Sequence, residues 1–368
     1  MSTTELQHNA KEIWEQFCEE LKQAGGQLIR EDLPLDELDA AEGLRYLSRL
    51  LRTGLERNVE GADPANPYLH VLCNERIKGF GGDNPDTLYY GATLSDEYEY
   101  LLKGDFSSCS YFSVIATGQD EDGSSCVTGS VDSTSLPAAQ HGPVEIPVLS
   151  AEATGSGGLP ISTVATDART QSLLVRCTFD HALDKKIDIS FARVKSSGQT
   201  MECQLDRVAA GLIGTASFVH SSARHWCNRS AGLRTEFNQL PLQDPERMRA
   251  MGGDPNIFYY STAWSLAPDE SWLIHIPRIP DCTTWGFQIN NIWTESLDFT
   301  QARIHLNKTT AHYDADGSVT IVVSERDPSQ PNWLRTLGHR TGTANLRLMG
   351  ASEPLVANTK VVKHQHTT

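Results

Sequence analysis

The chain predicts an α+β, mostly β fold. Two tandem helix-plus-antiparallel-β-sandwich (jelly-roll-like) units arise from an internal duplication, behind an N-terminal helical arm. Three observations carry this expectation. Gly81-Gly82-Asp83-Asn84-Pro85-Asp86-Thr87-Leu88-Tyr89-Tyr90 returns about 170 residues later as Gly252-Gly253-Asp254-Pro255-Asn256-Ile257-Phe258-Tyr259-Tyr260, read with one residue dropped next to the proline. Gly142-Pro143-Val144-Glu145-Ile146-Pro147-Val148 is echoed in the same order by Gly317-Ser318-Val319-Thr320-Ile321-Val322-Val323. Ordered matches at similar offsets mark a duplicated unit. In each half, finally, helical periodicity gives way to short alternating runs.

Residues 4–24 read as a helix, with Ile13, Phe17 and Leu21 on one face. Residues 38–58 read as a second, where Leu44, Leu47, Leu50, Leu51 and Leu55 recur at three- and four-residue spacing. Arg45, Arg49, Arg52 and Arg57 between them read first as a solvated face. From 70 to 195, apolar alternation broken by Gly, Asp and Ser predicts an antiparallel sandwich or barrel. Residues 203–226 are helical again, and strands resume from 257 to 349. The expected organisation is an arm over 1–37, units over 38–200 and 201–350, and a polar extended tail over 351–368. His364 and His366 belong to that tail.

Composition narrows the function. A formal charge of −16 opposes a general phosphate-backbone binder, so no nucleic-acid partner is expected. No stretch approaches the ~18 apolar residues of a membrane span. The N-terminus lacks a basic and an apolar signal region, so a cytoplasmic location is expected. The eight cysteines are scattered without a Cys-x-x-Cys pair, which favours free buried thiols over disulfides. A small-molecule ligand or substrate is the expected partner, and a homo-oligomer is left open.

The copies differ most in the second. Five of the seven tryptophans lie in its strand region: Trp264, Trp272, Trp285, Trp293 and Trp333. They read either as walls of a ligand cavity or as an interface between copies or subunits. If 285–290 is a strand, Trp285, Phe287 and Ile289 face one way, and Gln288 and Asn290 face the other with Gly286. Those amides suit ligand hydroxyls or carboxylates, or simply loop backbone. The loop over 327–342 pairs His339, a natural acid/base, with Arg340, a natural anion fork. The alternative makes Trp333 a core plug and the pair capping or salt-bridging residues. The Gly-Gly-Asp turn, kept in both copies, reads as structural, with Asp86, Tyr89 and Tyr259 as polar handles near it. Nucleotide, phosphate-loop, zincin and nucleophile-elbow motifs are absent, so no cofactor and no metal are expected. Asp314-Ala315-Asp316-Gly317 reads as a hairpin turn with Gly317 at positive φ.

At Asn84–Tyr90, Trp285–Asp298, Leu306-Asn307-Lys308, Asp316–Val323 and Asp327–Gly342 the chain resembles the domain-of-unknown-function 1214 family. The resemblance covers most of 75–350. It implies a jelly-roll-like β-sandwich in the C-terminal part and brings no reaction with it.

The leading expectation is a cofactor-independent enzyme, a hydrolase or lyase, acting on a polar or anionic small molecule in an aromatic-lined pocket of the second unit. His339 would be the acid/base, Asp298 or Glu295 its charge partner and Arg340 the anion anchor. Gln288, Asn290 and Asn307 would orient substrate between Trp285, Trp293 and Trp333. The alternatives are a non-catalytic binding module for a carbohydrate or small organic acid, and a jelly-roll metalloenzyme.

Overall fold

The computed structural model describes residues 3–33, 35–120, 125–136, 143–152, 160, 162–181, 186–195 and 203–363. His364, His366 and Gly142 lie outside them.

Two long helices open the chain, α1 (Thr3–Gly25) and α2 (Glu37–Leu55). A capping box starts α2: Asp36 accepts from the Asp39 amide, and the Asp39 carboxylate accepts from the Asp36 amide. A π turn, Glu56–Glu60, extends it. The first strand run is β1 (His70–Cys73), β2 (Thr87–Thr93), β3 (Tyr100–Asp105), β4 (Tyr111–Gln119), β5 (Ser125–Asp132), β6 (Pro143–Ser150), β7 (Val164–Thr166), β8 (Thr170–Thr178) and β9 (Ile189–Arg193). Then come α3 (Leu205–Leu233) and the short α4 (Pro245–Ala250). The second run is β10 (Ile257–Ser265), β11 (Glu270–Ile276), β12 (Thr284–Asn290), β13 (His305–Asn307), β14 (Val319–Ser324), β15 (Trp333–Arg335), β16 (Thr341–Met349) and β17 (Asn358–Lys363).

The sheets repeat strand for strand. The first sandwich has sheets ordered β1-β2-β8-β4-β5 and β7-β6-β3-β9. The second has β10-β16-β12-β13 and β15-β14-β11-β17. Apart from β1, each strand has a counterpart in the same place, down to the parallel pairs β6/β7 and β14/β15. The duplication is therefore topological as well as textual. The register also corrects the expected alignment. Gly82 and Gly252 both have φ +76. The Asn84 side chain accepts from the Asp86 amide just as Asp254 accepts from Asn256. Gly82 thus matches Gly252 and Pro85 matches Pro255, with no residue dropped between there and the tyrosines.

Strand alternation sorts side chains by face. Leu88, Val114, Val175, Tyr100 and Ile146 fill the first sandwich. Trp264, Trp272, Trp285, Phe287, Ile321 and Leu346 fill the second. A third cluster joins the helices to the second sandwich: Leu28, Tyr46, Leu50, Val219 and Cys227 surround Trp293. Helix α2 buries its Asp39, Tyr46, Leu50 and Thr53 face and leaves Leu44 exposed, because Trp293 docks there and donates to the Asp39 carbonyl at 2.9 Å. Its arginines are not one solvated face. Arg49 turns inward to Glu295, and Arg57 turns toward a cavity. The segment 358–363, expected as tail, is an edge strand, with Lys360 and Lys363 on it, as suits an edge. Gly317 takes φ +83 in its turn. No helix among the described residues is long and apolar enough to cross a membrane.

Candidate functional site

The sandwiches meet through the outer faces of β1-β2-β8-β4-β5 and β10-β16-β12-β13. Outward residues of one sheet bond to the other unit: Tyr111 donates to Asp254 at 2.8 Å, Gln288 to the Asp83 carbonyl at 2.7 Å and Asn307 to the Asp180 carbonyl at 3.0 Å. Between these faces, under α3, lies a cavity of about 440 Å³.

The duplication builds this cavity from one motif used twice. Tyr89 on β2 stands opposite Arg176 on β8, and Tyr259 on β10 stands opposite Arg347 on β16. All four line the cavity. Each arginine reaches into the other unit. Arg176 Nη2 donates to the Gly252 carbonyl at 2.6 Å, and Arg347 Nη2 donates to the Gly82 carbonyl at 2.7 Å. The positive-φ turn thus has a second use, presenting a carbonyl to the facing arginine. The pair is unequal beyond that. Arg347 Nη1 donates to Gln288 Oε1 at 2.6 Å, whereas Arg176 Nη1 is buried with no partner.

Two more arginines complete the lining. Arg229 of α3, 7% exposed, donates to Ser261 Oγ at 2.9 Å and lies 3.9 and 4.0 Å from the sulfurs of Met251 and Met248. Burial, with the charges of Arg247 and Arg347, pushes it down to about 10. Arg57 is lowered by burial alone. Among the described residues no Asp or Glu lines the cavity. Four guanidinium groups face one space, and the nearest buried carboxylates, Asp83 and Asp254, stand behind the lining rather than in it, so the described lining is positive inside an acidic protein. Burial pushes the Tyr89 phenol up to about 12, and it raises Tyr259 as well, so both stay protonated donors. The Tyr259 oxygen accepts from the Asp254 amide at 2.9 Å, which leaves its proton free for a ligand. Trp226, Phe80, Phe218, Leu174 and Met349 supply the apolar walls.

Of the residues singled out in the sequence, Tyr89 and Tyr259 line this cavity. Gln288 and Asn290 do face away from Trp285, Phe287 and Ile289, and Gln288 stands behind Arg347, bonded to Asn290 at 2.6 Å. Trp285 lies in the core and donates to Tyr313. Trp293 lies among the helices, and Trp333 donates to the Ser324 carbonyl. Asn307 holds the turn over 307–310. Asp86 meets His305 Nε2 at 3.1 Å.

His339 Nε2 meets Glu42 of α2 at 2.9 Å, and Asn291 donates to the same carboxylate at 2.8 Å. Glu295, 1% exposed, takes both bonds from Arg49 Nη1 at 2.8 Å. Asp298 accepts from Thr300 and Gln301 in a local turn, and the Arg340 side chain is exposed. His339 and Glu295 therefore belong to a buried polar layer between α2 and the second sandwich. Among the described residues no three His, Cys, Asp or Glu gather to hold a metal ion.

Sequence reasoning missed Arg57, Arg176, Arg229 and Arg347. The signal was there for two of them. Arg176 and Arg347 occupy matching positions in the last long strand of each copy's cavity-facing sheet, but the strings around them share too little else to align by eye.

Residues 262–353 match the model of a family described as a protein of unknown function, DUF1214. The solved structure of an uncharacterised protein from Burkholderia cenocepacia is 38% identical, covers 95% of this chain and 96% of its own, and superposes with a TM-score of 0.88. A Vibrio parahaemolyticus protein shares the fold at 15% identity, with a TM-score of 0.50 over 87% of this chain and 98% of that one. No curated protein matches the chain.

Proposed function

The chain belongs to the DUF1214 family of proteins of unknown function, and on that footing we propose that it binds a small organic anion between its two sandwiches. The observation that carries this reading is the cavity lined by Arg57, Arg176, Arg229 and Arg347, with no carboxylate among its described lining residues. Buried guanidinium groups are stabilised by an anion placed among them, and carboxylate or phosphate oxygens fit their fork geometry. Arg176 Nη1, buried and unpaired, is the donor most in need of one. The aromatic and methionine walls favour an anion with an apolar body over a bare inorganic ion.

Calorimetry at low ionic strength with benzoate, hexanoate and inorganic phosphate tests this. Organic anions are expected to bind, more weakly at high salt, and Arg176→Leu to lower affinity by about 10- to 100-fold. If none binds to the folded wild type, the reading falls.

Catalysis on the bound anion is a second reading, favoured by His70, an unpaired imidazole in the same cavity. It predicts hydrolysis or elimination of some bound ester or hydroxy acid that His70→Gln abolishes while binding persists.

A further inference from the structure

The arginines contributed by the duplication occupy one part of the cavity and leave two of its groups unexplained. His70 on β1 is 4% exposed, and neither ring nitrogen has a partner. Arg57, on the π turn after α2, lines the cavity beside it. Register fixes where this second station lies. His70 pairs with Gly91 across β1/β2, while Tyr89 pairs with Arg176 across β2/β8. Tyr89 and Gly91 share one face of β2, and β1 and β8 flank it, so the stations are offset by about 7 Å along the strand and about 10 Å across the sheet. Gly91 makes room for the imidazole: a Cβ there would stand 3.0 Å from His70 Nε2 and 3.0 Å from Leu72. Leu72 and Leu174 line the space near it.

We infer that the ligand is two-headed, a small dianion of the straight-chain dicarboxylate class. One acid group sits among Arg176, Arg229 and Arg347, the other on Arg57 and His70, with an apolar spacer between. This rests on the anion-binding reading and narrows it. Burial, helped by the charge of Arg57, keeps His70 neutral against the pull of Glu56, whose carboxylate the Tyr68 hydroxyl holds. The second station therefore offers one charge, from Arg57, and one neutral N–H donor. A buried imidazole N–H without an acceptor is costly, and a ligand carboxylate removes that cost.

The test is calorimetry at fixed ionic strength with hexanoate and with dicarboxylates from succinate to suberate. The proteins are wild type, His70→Phe, Arg57→Met and Arg176→Leu, each checked for folding by circular dichroism. The best dicarboxylate is expected to be longer than succinate and to bind at least about tenfold tighter than hexanoate, one charge-assisted hydrogen bond's worth. His70→Phe and Arg57→Met should cost the best dicarboxylate about tenfold more than they cost hexanoate, which cancels that advantage. Equal binding of mono- and dicarboxylates overturns the two-headed ligand, and so does an equal loss for both classes in His70→Phe. Should His70→Phe fail to fold, Arg57→Met decides by the same comparison. If hexanoate binds and Arg176→Leu weakens it, the anion site stands whichever way the dicarboxylates fall; if no anion binds, both readings are overturned.

Discussion

Arg176 and Arg347, equivalent residues of the two sandwiches, each donate to the carbonyl of the other unit's positive-φ glycine, Gly252 and Gly82. This reciprocal clasp ties the sandwiches together across the cavity and aims two guanidinium groups into it. A difference follows from the second nitrogen. Arg347 spends its own on Gln288, and Arg176 keeps its own free.

Arg347→Leu should therefore cost stability first. It strands buried Gln288 and the Gly82 carbonyl, at about 2–3 kcal/mol. Arg176→Leu should cost less in stability and more in anion affinity. Urea unfolding set beside calorimetry separates the two; equal stability losses would refute the asymmetry.

The two turn glycines share a backbone conformation and differ in surroundings. A Cβ on Gly82 would stand 2.7 Å from the Trp226 ring, whereas nothing lies within 4 Å of one on Gly252. Gly252→Ala is expected to cost about 1–2 kcal/mol, the left-handed penalty alone. Gly82→Ala should cost clearly more and should weaken anion binding, because Trp226 is a cavity wall. Thermal melts of the two variants give the comparison.

The Glu42–His339 pair makes stability depend on pH from both sides. Burial opposes the charge on His339, but the hydrogen bond and charge of Glu42 outweigh it and raise His339 above its ordinary 6.5. Its contribution is complete below that value and is lost as pH rises through the raised folded pKa. Burial likewise opposes the charge on Glu42, yet His339 holds it below 4.5. That contribution is present above 4.5 and fades as pH falls through the lowered one. His339→Gln should thus lose about 1.5–3 kcal/mol relative to wild type between these values, and progressively less at either extreme. A difference that does not vary with pH would count against the pair.

Arg49 neutralises Glu295, which burial pushes above its ordinary value even with the guanidinium present. Arg49→Leu should lose about 3–5 kcal/mol at neutral pH by stranding the charge. The loss should shrink in acid, where Glu295 protonates, and Glu295→Gln in the same chain should restore much of it. Denaturant midpoints at two pH values read this out.

Much of the fold was legible. The two echoes marked the duplication, and period-two alternation put Trp285, Phe287 and Ile289 inside and Gln288 and Asn290 outside. The candidate site was legible only in Tyr89 and Tyr259. The tryptophans of the second unit drew attention as cavity walls, but Trp264, Trp272, Trp285 and Trp293 are all at most 1% exposed. The indole lining the cavity is Trp226, on a helix where periodicity offers no reason to single it out.

By itself the sequence determined the local periodicities, the repeat, and which face of each strand is apolar, because these depend on residues near one another in the chain. Tertiary structure decided what the polar faces meet. Arg176 and Arg347 lie about 170 residues apart, and each looks like an ordinary outward arginine on a strand. Only the docking of two outer sheet faces excludes enough water to turn them, with Arg57 and Arg229, into one positive chamber. The same docking carried His339 to Glu42, a partner on a helix almost 300 residues earlier that no loop motif could have named.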